Sequence, residues 1–287
     1  EQNNLDLSIT APKIQYGEDA IQQLSVTVSS DDKQLNYKLN VNKAGSKSVQ
    51  LYKTSLTGNV ANNILNTSLL VKDKKETNRY QFAATLKQVS NGIRFALKPD
   101  SLLLDYEKWQ VSNDNFLQYD STGIIANNFL LSNKDQSLRI NSTVASTQAP
   151  LEVVFKNFSI HTLTSFAEQD SLFMDGVIDG NAVVKNATAN PVFTSDLQIR
   201  NFTYKKDTVG NISVKVDNET ANTFNANVKI EGNGNDVQLA GKYYTGESKM
   251  DLQLNIDSLN LATIKPFAST QLKDAGGNLK DNITIAG

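Results

Sequence analysis

The sequence predicts an all-β protein: a long antiparallel sheet built from degenerate repeats, with one or two short helical turns. Three observations carry that expectation. Apolar and polar residues alternate with period 2 almost throughout, turn-forming residues interrupt the alternation at short spacing, and helical periodicity is scarce.

The alternation starts at once, with Leu5, Leu7 and Ile9, and is clearest at Leu35, Tyr37, Leu39 and Val41 against Asn36, Lys38 and Asn40. It recurs at Ile93/Phe95/Leu97, Leu138/Ile140, Val153/Phe155, Leu197/Ile199 and Ile212/Val214/Val216. Phe224, Ala226, Val228 and Ile230 continue it, as do Met250, Leu252, Leu254 and Ile256. Successive strand side chains point to opposite faces, so one face of the sheet is expected to be apolar and the other wet. Turns are expected at Ser30-Asp31-Asp32, Asn91-Gly92, Asp179-Gly180, Gly232-Asn233-Gly234-Asn235 and Thr245-Gly246-Glu247. Only 162–168 and 262–268 carry a helical pattern.

Those two turns expose a repeat. Residues 155–186, shifted by 101 positions, fall on 256–287 without a gap. Phe158 meets Leu259, Leu163 meets Ile264, and Thr162, Phe166, Ala167 and Gly176 meet identical Thr263, Phe267, Ala268 and Gly277. A looser match sets Asp6–Ile9 on Asp196–Ile199 and Leu24–Val28 on Ile212–Val216, with an offset that drifts by two residues as a change in hairpin length would cause. Repeats of this kind build extended structures whose units touch mainly their neighbours. Two segments are expected, 1–150 and 151–287, the second continuing the sheet of the first.

Composition narrows the function. Of 287 residues, 28 are basic and 30 acidic, a net charge of −2 without a basic block, which argues against nucleic acid as a partner. The densest basic run, Lys72, Lys74 and Lys75, is broken by Asp73 and Glu76 and reads as a solvated hairpin tip. Cysteine is absent, which removes disulfides, thiolate metal sites and cysteine nucleophiles. No run approaches the ~18 apolar residues of a membrane helix. The chain opens and closes on strand-like sequence, and we read it as an internal section of a longer protein, with any signal or membrane anchor outside it.

No catalytic or metal constellation emerges, and no enzyme activity, cofactor or metal is expected. His161 stands alone between Ile160 and Thr162, and its repeat counterpart is Ala262. The carboxylate pairs Asp31/Asp32, Asp175/Asp179 and Asp251/Asp257 sit where turns or strand ends are expected, positions that favour Asp for its backbone hydrogen bonds. Residues 175–180 imperfectly shadow a calcium loop, with Val177 at a ligand position, and read as strand–turn–strand. Tyr106, Trp109, Phe116 and Tyr119 are expected to cluster at a packed corner; a carbohydrate platform is the alternative. Asp-Ser/Thr pairs at Asp100, Asp120, Asp170, Asp207 and Asp257 are similar to an O-glycosylation signal, and are also ordinary turn dipeptides.

The stretch from Val154 to Pro191, with Phe166, Gly176, Gly180 and Pro191 in place, resembles the repeats of the AsmA-like superfamily, the TamB-like proteins in particular. The second copy keeps Pro266, Phe267 and Gly277, but Asp281 stands where the second glycine would be. The resemblance implies a β-taco: one long curved antiparallel sheet folded into an open groove with an apolar interior. About 25 strands at ~4.8 Å would span roughly 120 Å. It further implies an inner-membrane-anchored protein of the periplasm whose groove carries phospholipid acyl chains between the inner and outer membranes.

The predicted groove lining is Phe155, Leu197, Ile199, Ile212, Val214, Val216, Phe224, Val228, Ile230, Leu239, Leu252, Leu254 and Ile256. Small residues on apolar faces, namely Ala83, Ala84, Ala182, Val184, Ala226 and Ala240, favour an open groove over a closed core. Two other readings stand beside it. One is an assembly module that adds strands to outer-membrane protein substrates alongside a TamA-like barrel, which parts of the protein outside this chain would contact. The other is a β-sandwich for surface adhesion or glycan binding.

Overall fold

The computed structural model describes residues 4–45, 50–90, 92–165, 174–188, 191–218, 222–247, 249–267 and 276–287. Among these residues it is all-β, with 21 strands, one five-residue α-helix and one 3-10 turn. The chain divides into two compact units. The first comprises Glu1–Lys134, Ile140–Gln148 and Ser165–Gln169; the second comprises Asp135–Arg139, Ala149–Thr164 and Asp170–Gly287. The accessible surface is 17083 Å². Two separate compact globules of half the mass would together expose only about 14,600 Å². The excess is roughly 2,500 Å² of total surface.

The first unit opens with a meander: β1 (Asp6–Tyr16), β2 (Asp19–Ser30), β3 (Leu35–Gly45), β4 (Gln50–Ala61), β5 (Ile64–Lys72) and β6 (Asn78–Val89). Each strand pairs antiparallel with the next. Cross-strand partners run in apolar rows, such as Ile9–Val26–Leu39–Leu56–Leu69–Phe82. The wet face carries amide contacts instead: the Asn66 amide donates to Asn59 at 3.0 Å and the Asn59 amide to Gln34 at 3.1 Å.

At β6 the sheet branches. Residues 84–89 pair with β7 (Gly92–Leu97), whereas Gln81 pairs with Leu103 of β8 (Leu102–Leu104). The β8 branch continues through β9 (Glu107–Val111), which pairs with β12 (Phe129–Asn133). The β7 branch continues through β10 (Phe116–Asp120) and β11 (Gly123–Asn127). β13 (Gln136–Ser142) follows in the chain. Side chains close the gap that branching leaves. The Ser101 hydroxyl accepts the Ala83 N–H at 3.0 Å. The Asn115 amide ends β7 like a strand residue, accepting the Leu97 N–H at 2.9 Å and donating to the Leu97 carbonyl at 2.8 Å. Between the branches lies the densest core of the unit: Tyr80, Ala84, Leu102, Trp109, Val111, Ala126 and Phe129 are all buried, and the Phe95 and Phe129 rings stand 6.4 Å apart.

The second unit is a simpler meander: β14 (Leu151–Ser159), helix α1 (Ile160–Thr164), β15 (Met174–Lys185), β16 (Val192–Tyr204), β17 (Asp207–Asp217), β18 (Thr223–Gly232), β19 (Asn235–Tyr244), β20 (Lys249–Asn260), a 3-10 turn (Leu261–Phe267) and β21 (Asn278–Ala286). Every strand from β14 to β21 pairs antiparallel with its sequence neighbour.

The 101-residue repeat is preserved in the pairing register. Phe155 opposes Gly180 and Phe158 opposes Ile178; 101 residues on, Ile256 opposes Asp281 and Leu259 opposes Leu279. Both pairs of strands bulge at the same step, between Phe155 and Phe158 and between Ile256 and Leu259. Both then enter a helical turn, α1 and the 3-10 turn, as the sequence predicts; 166–168 and Ala268 lie outside the described residues. The looser match does not keep register. Ile199 opposes Ile212, but its counterpart Ile9 opposes Val26 rather than Leu24, a slip of two residues.

Two further expectations change. Asp179-Gly180 is no turn: both residues lie inside β15. Gly180 has φ 125°, and a Cβ there would stand 2.2 Å from the Asp196 carbonyl oxygen, so it is a glycine kink within a strand. The four aromatics do not form one cluster. Trp109 is buried, while Tyr106 and Tyr119 are 47% and 57% exposed, because Tyr106 occupies the β8–β9 hairpin tip and Tyr119 points off the β10 face.

Candidate functional site

The apolar face of the second unit is the candidate site, and its geometry follows from register. Directly opposed residues in a sheet share a face, as do residues two apart along a strand. One row runs Phe155–Gly180–Leu197–Val214–Val228–Leu239–Leu254–Ile283 across all eight strands. Beside it runs Ile178–Ile199–Ile212–Ile230–Val237–Ile256. On the other flank runs Ala182–Ser195–Val216–Ala226–Gly241–Leu252–Ile285. Phe224 extends the same face, opposite Tyr243 and with its ring 5.6 Å from that of Phe193.

All thirteen residues named from the sequence therefore stand on one face. Only Ile256, at 4% exposure, is sealed from solvent; the other twelve are half-buried. A sandwich core would have covered them. Sequence reasoning passed over Val237, Ile283 and Ile285, although their alternation with polar neighbours was readable. It also placed two small residues on the wrong side. Ala84, Ala182, Val184 and Ala226 are on apolar faces, but Ala83 opposes Ser68, and Ala240 opposes Asn227 and Gln253, on the wet faces.

Glycine notches the apolar rows at two points, Gly180 and Gly241. Gly241 has φ 145°, and a Cβ there would lie 2.1 Å from the Asp251 carbonyl oxygen. Both positions need a backbone that L-residues rarely adopt, and both lower the profile of the row they interrupt.

The opposite face is wet and ionic. At the β14 bulge, Arg200 reaches Asp179 at 2.8 Å and Asn157 at 2.7 Å, while the Asn157 backbone N–H donates to Asp179 at 2.8 Å. Burial works against the charged form of Asp179, yet the Asn157 N–H and the Arg200 guanidinium hold its carboxyl below the usual carboxylate range. Lys215 pairs with Asp196 at 2.9 Å. Two shallow troughs cross this face, one of about 400 Å³ around Asn181, Lys215 and Asn227, the other of about 560 Å³ around Lys229, Gln253 and Asn255.

The titratable groups weighed from sequence are dispersed. Asp31 accepts the backbone N–H groups of Lys33 and Gln34 in the β2–β3 turn, which lowers its pKa. Asp73 does the same for the 72–76 hairpin tip through Lys75 and Thr77. Asp175 accepts the Gly176 N–H, and His161 sits in α1. Asp251 and Asp257 are exposed on β20. Among the described residues no three His, Asp or Glu side chains gather where a metal could sit. Of the Asp-Ser/Thr pairs, Ser101 and Ser258 spend their hydroxyls on the Lys98 and Gly234 carbonyls, and Asp170-Ser171 lies outside the described residues. No family model, curated protein or solved structure matches the chain.

Proposed function

We propose that the chain is a non-catalytic section of a TamB/AsmA-like envelope protein, and that its apolar sheet face carries phospholipid acyl chains across the periplasm. One observation carries this reading: three adjoining apolar rows cross six, seven and eight of the paired strands, with nearly every side chain half-buried. An acyl chain lying on such a surface gains ~0.8 kcal/mol per buried CH₂ and needs no specific polar contact. The face is continuous in the strand-stacking direction, so a chain can slide along it past near-equivalent Val, Leu and Ile positions.

The second reading, strand addition to outer-membrane protein substrates alongside a TamA-like barrel, draws on β21, whose nine residues are all exposed. Native mass spectrometry of the purified chain, with extraction of co-purified lipid, separates the two. Near-stoichiometric phospholipid supports transport. Protein that stays empty, even after exposure to phospholipid vesicles, shifts the reading to assembly.

A further inference from the structure

The helical turns of the repeat stand over one margin of the second unit's apolar face. Met174 and Gly176 share a face with Ile178 along β15, and Met174 opposes Tyr204 of β16. Phe267, in the 3-10 turn, stacks on the Tyr204 ring with centroids 4.2 Å and planes 15° apart, so the turn lies on the apolar side. Asn235 fastens it there. This residue shares a face with Val237 along β19 and is only 5% exposed. Its amide donates to the Val209 carbonyl at 2.7 Å, and its oxygen accepts the Asn260 N–H at 2.9 Å and the Thr263 hydroxyl at 3.4 Å. The first copy of the repeat uses the same device. The Gln136 oxygen accepts the N–H of Ser159, the counterpart of Asn260, at 3.1 Å where β14 passes into α1. The two turns recur six strands apart, roughly 29 Å along the sheet.

The two margins of the face therefore differ. At the helical-turn margin Phe158, Ile160, Val209, Ile256 and Thr263 are all buried. At the opposite margin, across β16 to β20, Phe193, Phe224 and Met250 are half-buried and Tyr243 is 39% exposed. Just beyond them, in the β19–β20 hairpin, Lys249 pairs with Glu247 at 2.7 Å, and their side chains are 62% and 66% exposed. We propose that the helical turns are a closed lip, and that a phospholipid on this face holds its head group at the margin of the β19–β20 hairpin.

This rests on the reading of the face as an acyl-chain surface and adds the lipid's orientation. A zwitterionic head group carries a phosphate and an ammonium, and the hydrated Glu247 and Lys249 offer both complementary signs. Seating the same group under the lip would strip its water among buried apolar side chains. The dimensions agree. From Tyr243 to Asn235 along β19 is about 27 Å, whereas the hydrocarbon of one bilayer leaflet is about 15 Å deep. Acyl chains entering from the open margin thus end on the Leu, Val and Ile rows, short of the lip.

The test uses the absence of native cysteine. Thr245→Cys and Ala262→Cys, at exposed positions on the two margins, each carry a fluorophore. Each protein is equilibrated with phosphatidylcholine vesicles and re-isolated, the lipid bearing a nitroxide either on its head group or within an acyl chain. The acyl label reports whether lipid is bound; the head-group label reports where its polar end sits. Over a separation of about 27 Å, the head-group label should quench the Thr245→Cys probe roughly threefold more than the Ala262→Cys probe. Equal head-group quenching at both sites, with acyl quenching present, would overturn the orientation and leave the lipid reading standing. Stronger head-group quenching at Ala262→Cys would do the same, and would assign the phosphate to the exposed Lys205-Lys206 tip of the β16–β17 hairpin. No quenching by either label at either site would sink the lipid reading and this proposal with it.

Discussion

Replacing Val228 with Asp separates an open apolar face from a sealed core. Val228 sits mid-row, opposite Val214 on one side and Leu239 on the other, and is half-buried. Full burial of a valine side chain contributes about 1.5–3 kcal/mol, so half-burial contributes about 1. Two cross-strand neighbours add roughly 0.2–1 kcal/mol each. The new carboxylate keeps access to water and stays hydrated, which avoids the cost of a buried charge. The total is about 1.5–3 kcal/mol, a fall of roughly 3–12 °C in the midpoint of thermal unfolding. Phe158→Asp is the contrasting case: at 2% exposure its carboxylate has no water, and the second unit should not fold. Lipid occupancy of V228D should fall further than its stability does. Keeping about three methylenes off the charged site removes ~2.4 kcal/mol, or about 50-fold in affinity. Asn227→Asp, on the wet face of the same strand, is the control and should leave occupancy unchanged. Urea unfolding and lipid quantification on the three variants decide the matter. The reasoning is refuted if V228D unfolds like Phe158→Asp, or if it folds and keeps its lipid.

Gly241→Ala should cost about 3 kcal/mol or more, because the added carbon meets the Asp251 carbonyl at 2.1 Å on a backbone hostile to L-residues; urea midpoints of wild type and variant measure it. Asn115→Ala should destabilise the first unit by about 2–4 kcal/mol, since it strips partners from both the N–H and the carbonyl of Leu97 at a site only 3% exposed. Hydrogen exchange should then show the end of β7 opening first.

The strands were readable because a two-residue period encodes both the element and its buried face, and one half-solvated sheet satisfies that code everywhere. The 101-residue repeat was readable for the same reason: its apolar register is its pairing register. Glycine misled the reading, since Gly180 looks like a turn residue and serves as a strand kink. Some tight turns left no signal: Asp105-Tyr106 and Lys205-Lys206 adopt positive φ between paired strands without the usual Asn-Gly signature. Branching at β6 was not legible either. It depends on Ser101 and Asn115 reaching backbone groups 18 residues away in sequence, which no local pattern announces.

Cysteine accessibility along one row tests the open face most directly. Single cysteines at Leu197, Val214, Val228, Leu239 and Leu254 would be labelled with a soluble maleimide in delipidated, folded protein, with Phe158→Cys as the buried reference. An open face predicts rapid labelling at all five positions, slow labelling at Phe158→Cys, and protection of the five once phospholipid is restored. Labelling of the five as slow as that of Phe158→Cys, in delipidated protein, would show a sealed core and contradict the account.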